Sequence, residues 1–145
     1  MNTEKKTFYA IQVSAPANTP NPAGHRFSEA ALTNAVNLLN KRPFVSGEFD
    51  SPKVIINKDV PRYLRIDETK AILFAKNFKL TEKGIVADLY LNETVLGRRV
   101  QSMIDNGTVE RGEYGFRIRA FYLNDDIVNG VVENLIPVGV DFIQL

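Results

Sequence analysis

The chain has 145 residues, 44% hydrophobic and 24% charged, enough for one compact domain with its own core and typical of an ordinary globular protein. Its 18 basic and 17 acidic residues leave a net charge of +1, which lacks the basic surplus of a nucleic-acid binder, and no apolar run approaches the roughly 20 residues of a membrane helix. The absence of cysteine excludes disulfides, thiolate metal sites and a cysteine nucleophile, and fits synthesis in a reducing cytosol.

The polar start Met1–Lys6 is not followed by a signal-peptide core. Thr7–Ala15 alternates as a strand, with Tyr9, Ile11 and Val13 on one face. Asn18–Gly24 reads as a loop, since three of the seven prolines fall between Pro16 and Pro22. Ser28 is placed to cap a helix, Glu29 suits its first turn, and Leu32, Ala35, Val36 and Leu39 recur at helical spacing until Pro43 stops it. Phe44–Glu48 and Val54–Ile56 are predicted as short strands around the turn Asp50-Ser51-Pro52, where Pro52 holds Ser51 extended. The mixed stretch Asn57–Thr69 reads as an irregular loop.

Lys70–Leu80 alternates again, with Ile72, Phe74 and Phe78 on one face. Thr81-Glu82-Lys83-Gly84 forms a hairpin loop, and Ile85, Ala87, Leu89 and Leu91 continue on the returning strand. Thr94 caps a second helix striped by Leu96, Val100, Met103 and Ile104 and ended by Asn106-Gly107. Glu113–Leu123 is a long strand with Tyr114, Phe116, Ile118 and Ala120 facing one way and Arg117 and Arg119 the other. After a polar turn, Val131–Ile136 and Val138–Leu145 are the last strands, with Pro137 at a bend or edge. The expected fold is α+β: a single domain over residues 1–145, built as a small, mostly antiparallel β-barrel, closed or half-closed, of six to eight strands with two helices.

Candidate chemistry is sparse. His25 is the sole imidazole and would need a serine among Ser14, Ser28, Ser46, Ser51 and Ser102 to act as a general base. Without Cys or His neighbours it makes a poor zinc ligand, so no metal and no cofactor is expected. Ser51 reads as a turn residue, as does Asp50, and Glu48 as part of the fold. Arg98, Arg99, Arg111, Arg117 and Arg119 read as a solvated or interfacial face. Asp67-Glu68 and Asp125-Asp126 read as loop charge, and Gly112 and Gly115 as places where the backbone twists or bulges.

The stretch "GHRFSEAALTNAVNLLNKRPFVSGEFDSP" (24–52), the helix "LNETVLGRRVQSMIDNG" (91–107) and the closing "ENLIPVGVDFIQL" (133–145) together resemble the prohead (head maturation) proteases of tailed bacteriophages, of the T-even type, relatives of the herpesvirus assemblin fold. In that family "GELDHP" stands where this chain has "GEFDSP", so the catalytic histidine position is occupied by Ser51. The family's nucleophile lies in a "GVSSRG"-like segment, which is matched here by 111–117; Tyr114 and Gly115 stand there, without serine or threonine. The resemblance therefore implies a pseudo-protease with no catalytic residue. It further implies an auxiliary capsid or head-assembly protein, made in the host cytoplasm and carried in the virion, whose partner is the major capsid or scaffold protein and which is open to homo-oligomerisation. Arg117 and Arg119 are the candidate binding residues on the exposed strand. Two alternatives stand beside this reading: an active serine-type maturation protease rearranged around His25, and a regulator or inhibitor of a true prohead protease.

Overall fold

A computed structural model describes residues 7–145; the polar stretch Met1–Lys6 lies outside the described residues. The strands are β1 (Thr7–Gln12), β2 (Arg26–Phe27), β3 (Val45–Glu48), β4 (Ala71–Thr81), β5 (Gly84–Leu91), β6 (Tyr114–Phe121), β7 (Ile127–Val128), β8 (Val131–Val132) and β9 (Ile136–Gln144). The helices are α1 (Glu29–Asn40), the single turn α2 (Val60–Tyr63) and α3 (Val95–Asp105). Three sheets result, ordered β1-β5-β4-β3, β2-β8-β7 and β6-β9, and all pairs are antiparallel except β2 with β8. The expected barrel does not close among the described residues. The ladder is interrupted between β1 and β6, where the Ile118 amide donates to the Val13 carbonyl, and between β3 and β9, where the Asp50 amide donates to the Phe142 carbonyl.

Both long helices form where their caps and stripes placed them. The Ser28 hydroxyl accepts from the Ala31 amide, and α1 buries Leu32, Ala35, Val36 and Leu39 against β4. The Thr94 hydroxyl accepts from the Gly97 amide, and α3 buries Val100, with Met103 and Ile104 half-buried against the core; Leu96 stays exposed at the helix start. The hairpin turns over two residues, Glu82 and Lys83, between the paired Thr81 and Gly84, and Ile85, Ala87, Leu89 and Leu91 are all buried. Each isoleucine and leucine among them contributes on the order of 1.5–3 kcal/mol on burial.

Strict alternation fails at two bulges. In β1 the ladder to β5 shifts between Phe8 and Ile11, with Ala10 at φ +51°; the extra residue leaves Tyr9 73% exposed while Phe8 and Ile11 pack on the core. In β4 it shifts between Lys76 and Lys79, with Asn77 at φ +58°, so Phe78 turns to the core while Phe74 meets the exposed Phe44 edge-on at 5.2 Å. One carboxylate serves both bulges, since Asp88 accepts from the Ala10 amide (3.0 Å) and from Asn77 Nδ2 (2.9 Å). Pro137 lies within β9 at a further shift, between the pairs Arg119–Gly139 and Ala120–Pro137, the kind of irregularity to which a strand proline is confined.

One strand reading and one loop reading change. Val54–Ile56 is not a strand: the Asp59 carboxylate accepts the amides of Ile55 and Ile56 and diverts them from a ladder. The stretch 57–70 is ordered as a 3₁₀ turn (Asn57–Asp59), α2 and a second 3₁₀ turn (Glu68–Lys70), and it lies over the face of β6 that carries Arg119.

Candidate functional site

The turn at Gly47–Pro52 closes over a buried charged cluster fed by four elements. β3 supplies Glu48, β6 Arg119, β9 Asp141 and α2 Arg62, while Ser51 projects from the turn itself. Asp50 takes the left-handed conformation at φ +64°, which an aspartate tolerates in a turn, and its amide is held by the Phe142 carbonyl. Asp50 and Glu48 thus part company, Asp50 exposed and Glu48 buried, and they form no carboxylate pair.

Arg119 is the centre of the cluster. Nε donates to Asp141 Oδ2 (2.7 Å), Nη2 to Asp141 Oδ1 and Glu48 Oε2 (both 2.9 Å), and Nη1 to the carbonyls of Arg65 (2.8 Å) and Tyr63 (3.2 Å). All five guanidinium donors are used. Asp141 is equally occupied: beyond Arg119, its Oδ1 accepts the Glu48 amide (2.9 Å) and its Oδ2 the Ser51 hydroxyl (2.6 Å). Glu48 is paired with both terminal nitrogens of Arg62, Nη1 and Nη2, and accepts the Asp67 amide at 3.3 Å. Two buried carboxylates thus face the buried Arg119 and the partly exposed Arg62, an arrangement in which buried charge is tolerated.

The fields follow from this geometry. Burial by itself would raise the Glu48 carboxyl, but the Arg62 and Arg119 hydrogen bonds outweigh it and hold Glu48 below the usual carboxylate range. Burial by itself would push the Arg119 guanidinium down, and Asp141 and Glu48 hold it above its usual range instead. Burial pushes the Tyr63 phenol up. A depressed carboxylate stabilises the fold fully above its unfolded value, near 4.3, and that contribution is lost as pH falls through the folded value. Thermal melts of the wild type should therefore fall below about pH 4.3, and Glu48→Gln, less stable at neutral pH, should show a shallower acid fall. Parallel curves for the two proteins would remove Glu48 from that account.

The sequence-derived site residues divide. Ser51, without an assignable partner in the sequence, bonds to Asp141, 90 residues on. Arg119 is not the exposed binding residue its alternation suggested: it is 2% exposed, and Arg117 is half-buried, its guanidinium pushed down by burial. The direction of the two arginines agrees with the sequence, but the 57–70 cover had no signature in the β6 pattern. Tyr114 stacks on Phe142 at 5.4 Å and leans on Phe49, while Gly115 pairs with Ile143 and is buried. Gly112 adopts φ +77° just before β6. Arg111 makes an exposed pair with Glu113, and Arg99 lies over the Phe49 ring at 5.5 Å. Asp67 caps the 3₁₀ turn over Glu68–Lys70, Glu68 accepts from Ser46, and Asp126 accepts from the Leu123 amide, so three of the four loop carboxylates hold local structure.

His25 faces a phenol rather than a serine: its Nδ1 lies 2.9 Å from the Tyr122 hydroxyl, which also takes Asn21 Nδ2 at 3.3 Å. The serine hydroxyls are engaged elsewhere, Ser14 with Ala15 and Ile85, Ser28 as a cap, Ser46 with Glu68, Ser51 with Asp141 and Ser102 with Arg98. Among the described residues no group of three His, Cys, Asp or Glu side chains is arranged to hold a metal, and no helix is long and apolar enough to cross a membrane. Asp141 and Arg62 escaped the sequence reading. Asp141 had left a signal as the sole charge inside the apolar run Ile136–Ile143, where an acid is expected to be buried and paired.

These elements, in this order and with the turn at Gly47–Pro52 set against β9, have the fold of a phage capsid protease. The solved structure of the bacteriophage T4 capsid assembly protease, gp21, matches with a TM-score of 0.65 and 16% identity, covering 96% of this chain and 81% of that one. No protein-family model and no curated protein sequence matches the chain. At that identity the likeness establishes the fold alone.

Proposed function

We propose that this chain is a non-catalytic head protein of a tailed bacteriophage, a pseudo-protease that serves as an auxiliary or decorating subunit on the capsid. The major capsid or scaffold protein is its partner, since a fold used to engage head polypeptides keeps a binding surface when its chemistry is lost. The chain would be made in the host cytoplasm and carried in the virion. The observation that carries this reading is the state of residue 51. Where the resembling proteases have a catalytic histidine, this chain has a serine whose proton is committed to Asp141, and both oxygens of that carboxylate are bonded to Arg119. Both oxygens of that carboxylate are already occupied, by Arg119 and by the Glu48 amide, and activation of a serine needs a base placed and free to take its proton. Tyr114 and Gly115, at the matched nucleophile position, bring an aromatic stack and a buried glycine.

The test is to incubate the purified chain with capsid and scaffold polypeptides and a serine-reactive fluorophosphonate probe, and to analyse purified virions for the chain. No labelling, no cleavage, and an unprocessed, high-copy chain in the virions are expected. Labelling that disappears on replacing His25 would establish the active serine protease instead.

A further inference from the structure

An apolar cleft is lined in part by Val60, Tyr63 and Leu64 of the 57–70 cover, and none of its lining residues bonds to Ser51 or Asp141. Its volume is about 680 Å³; one wall is drawn from 52–64, including Val54 and Leu64, and the other from 121–123, including Leu123. Val54, Leu64 and Leu123 are exposed, and the apolar surface runs on along the chain through Ile55, 81% exposed, and Ile56. A contiguous apolar surface of this kind marks a contact site.

The walls themselves are uncharged, but the chain beside them carries opposite charge on the two sides. Lys53 and Lys58, exposed and without an ion-pair partner among the described residues, flank the first wall, and the neighbouring Asp59 carboxylate is turned onto the Ile55 and Ile56 amides. Asp125 and Asp126 follow Leu123 beside the second wall, and Asp125 is exposed. A two-fold axis lays a surface on its own copy, so a rim of one sign would repel itself, whereas flanks of opposite sign attract across the axis. We propose that this cleft is a homodimer interface, with the lysine-flanked wall of each copy against the aspartate-flanked wall of the other.

Sedimentation velocity of the full chain from micromolar to near-millimolar concentration tests this. A concentration-dependent dimer is expected. Ile55→Asp combined with Leu123→Asp should weaken it at least tenfold, at exposed positions where far-UV circular dichroism checks that the fold is kept. Lys53→Glu with Lys58→Glu should weaken it about tenfold, and adding Asp125→Lys should recover part of that loss. A monomer at every concentration, or a dimer indifferent to Ile55→Asp and Leu123→Asp, overturns the proposal. So does a free monomer whose residues 53–56 gain hydrogen-exchange protection only when capsid protein is added, which would assign the surface to that partner. Either failure leaves the non-catalytic reading as it stands, because that reading rests on Ser51, Asp141 and probe labelling.

Discussion

Arg119→Met is expected to destabilise the fold by about 3–5 kcal/mol, the range seen when one member of a buried ion pair is removed. The reason lies in what remains. Asp141 would keep the Glu48 amide and the Ser51 hydroxyl, and Glu48 would keep Arg62, but Asp141 would have no cation beside it at 0% exposure. The Tyr63 carbonyl would also lose its Arg119 donor and the Arg65 carbonyl would be left with Arg62 alone, so the 57–70 cover would loosen along with the charge pair. In a chain of this size that corresponds to a fall in melting temperature on the order of 10 °C. Arg111→Met, which removes an exposed pair with Glu113 together with hydrogen bonds to the Asn106 carbonyl and the Thr108 hydroxyl, should cost no more than about 1 kcal/mol and shows what losing an exposed arginine does. Combining Arg119→Met with Asp141→Leu should cost less than the sum of the two single changes, because the penalty of each comes largely from stranding the other. Urea and thermal unfolding of the wild type and the four variants read this directly. A loss below about 1 kcal/mol for Arg119→Met would mean that the cluster is hydrated rather than buried.

This same residue shows where sequence reading reaches and where it stops. The alternation in β6 gave the right direction for Arg119, opposite Phe116 and Ile118, because a strand has a period of two. It did not give the environment, which is set by Tyr63 and Arg65 more than 50 residues earlier, on a stretch without hydrophobic periodicity. The helices and the β4–β5 hairpin were legible because caps, stripe and turn are local signals: Ser28 with Ala31, Thr94 with Gly97, Thr81 with Gly84. The bulges were not, since the left-handed residues at Ala10 and Asn77 are selected by the distant Asp88 carboxylate. Val54–Ile56 has the composition of a strand, yet Asp59 reaches back to its amides and the segment stays outside any sheet. The site was half legible. Its turn could be read from Asp50-Ser51-Pro52, but the hydrogen-bond partner of Ser51 depends on the placing of β9 beside β3.

That placing leads to the second large effect: Gly47→Ala should abolish folding to the native state. A methyl group on residue 47 would overlap the Val140 carbonyl, a backbone atom of a residue wholly inside the core. Ordinary overpacking of a core costs about 1–3 kcal/mol because side chains can turn aside, but a carbonyl in the β6–β9 ladder moves only with its strand. Making room would separate β3 from β9. It would break the Glu48 amide–Asp141 and Asp50 amide–Phe142 hydrogen bonds, and with them the approach of Glu48 to Arg119. The contact is reciprocal, for a methyl at Gly139 would run into the Ser46 carbonyl and the Ile66 side chain, so Gly139→Ala should fail in the same way. Gly112→Ala separates crowding from backbone strain: its φ of +77° is unfavourable for alanine, but no atom lies within 4 Å of the added methyl, so a loss of about 1–2 kcal/mol with a native fold is expected. Soluble yield and near-UV circular dichroism distinguish the two outcomes. A Gly47→Ala protein that melts within a few degrees of the wild type would show that the strands do not cross in contact, and the cluster that binds Ser51 to Asp141 would lose the crossing that assembles it.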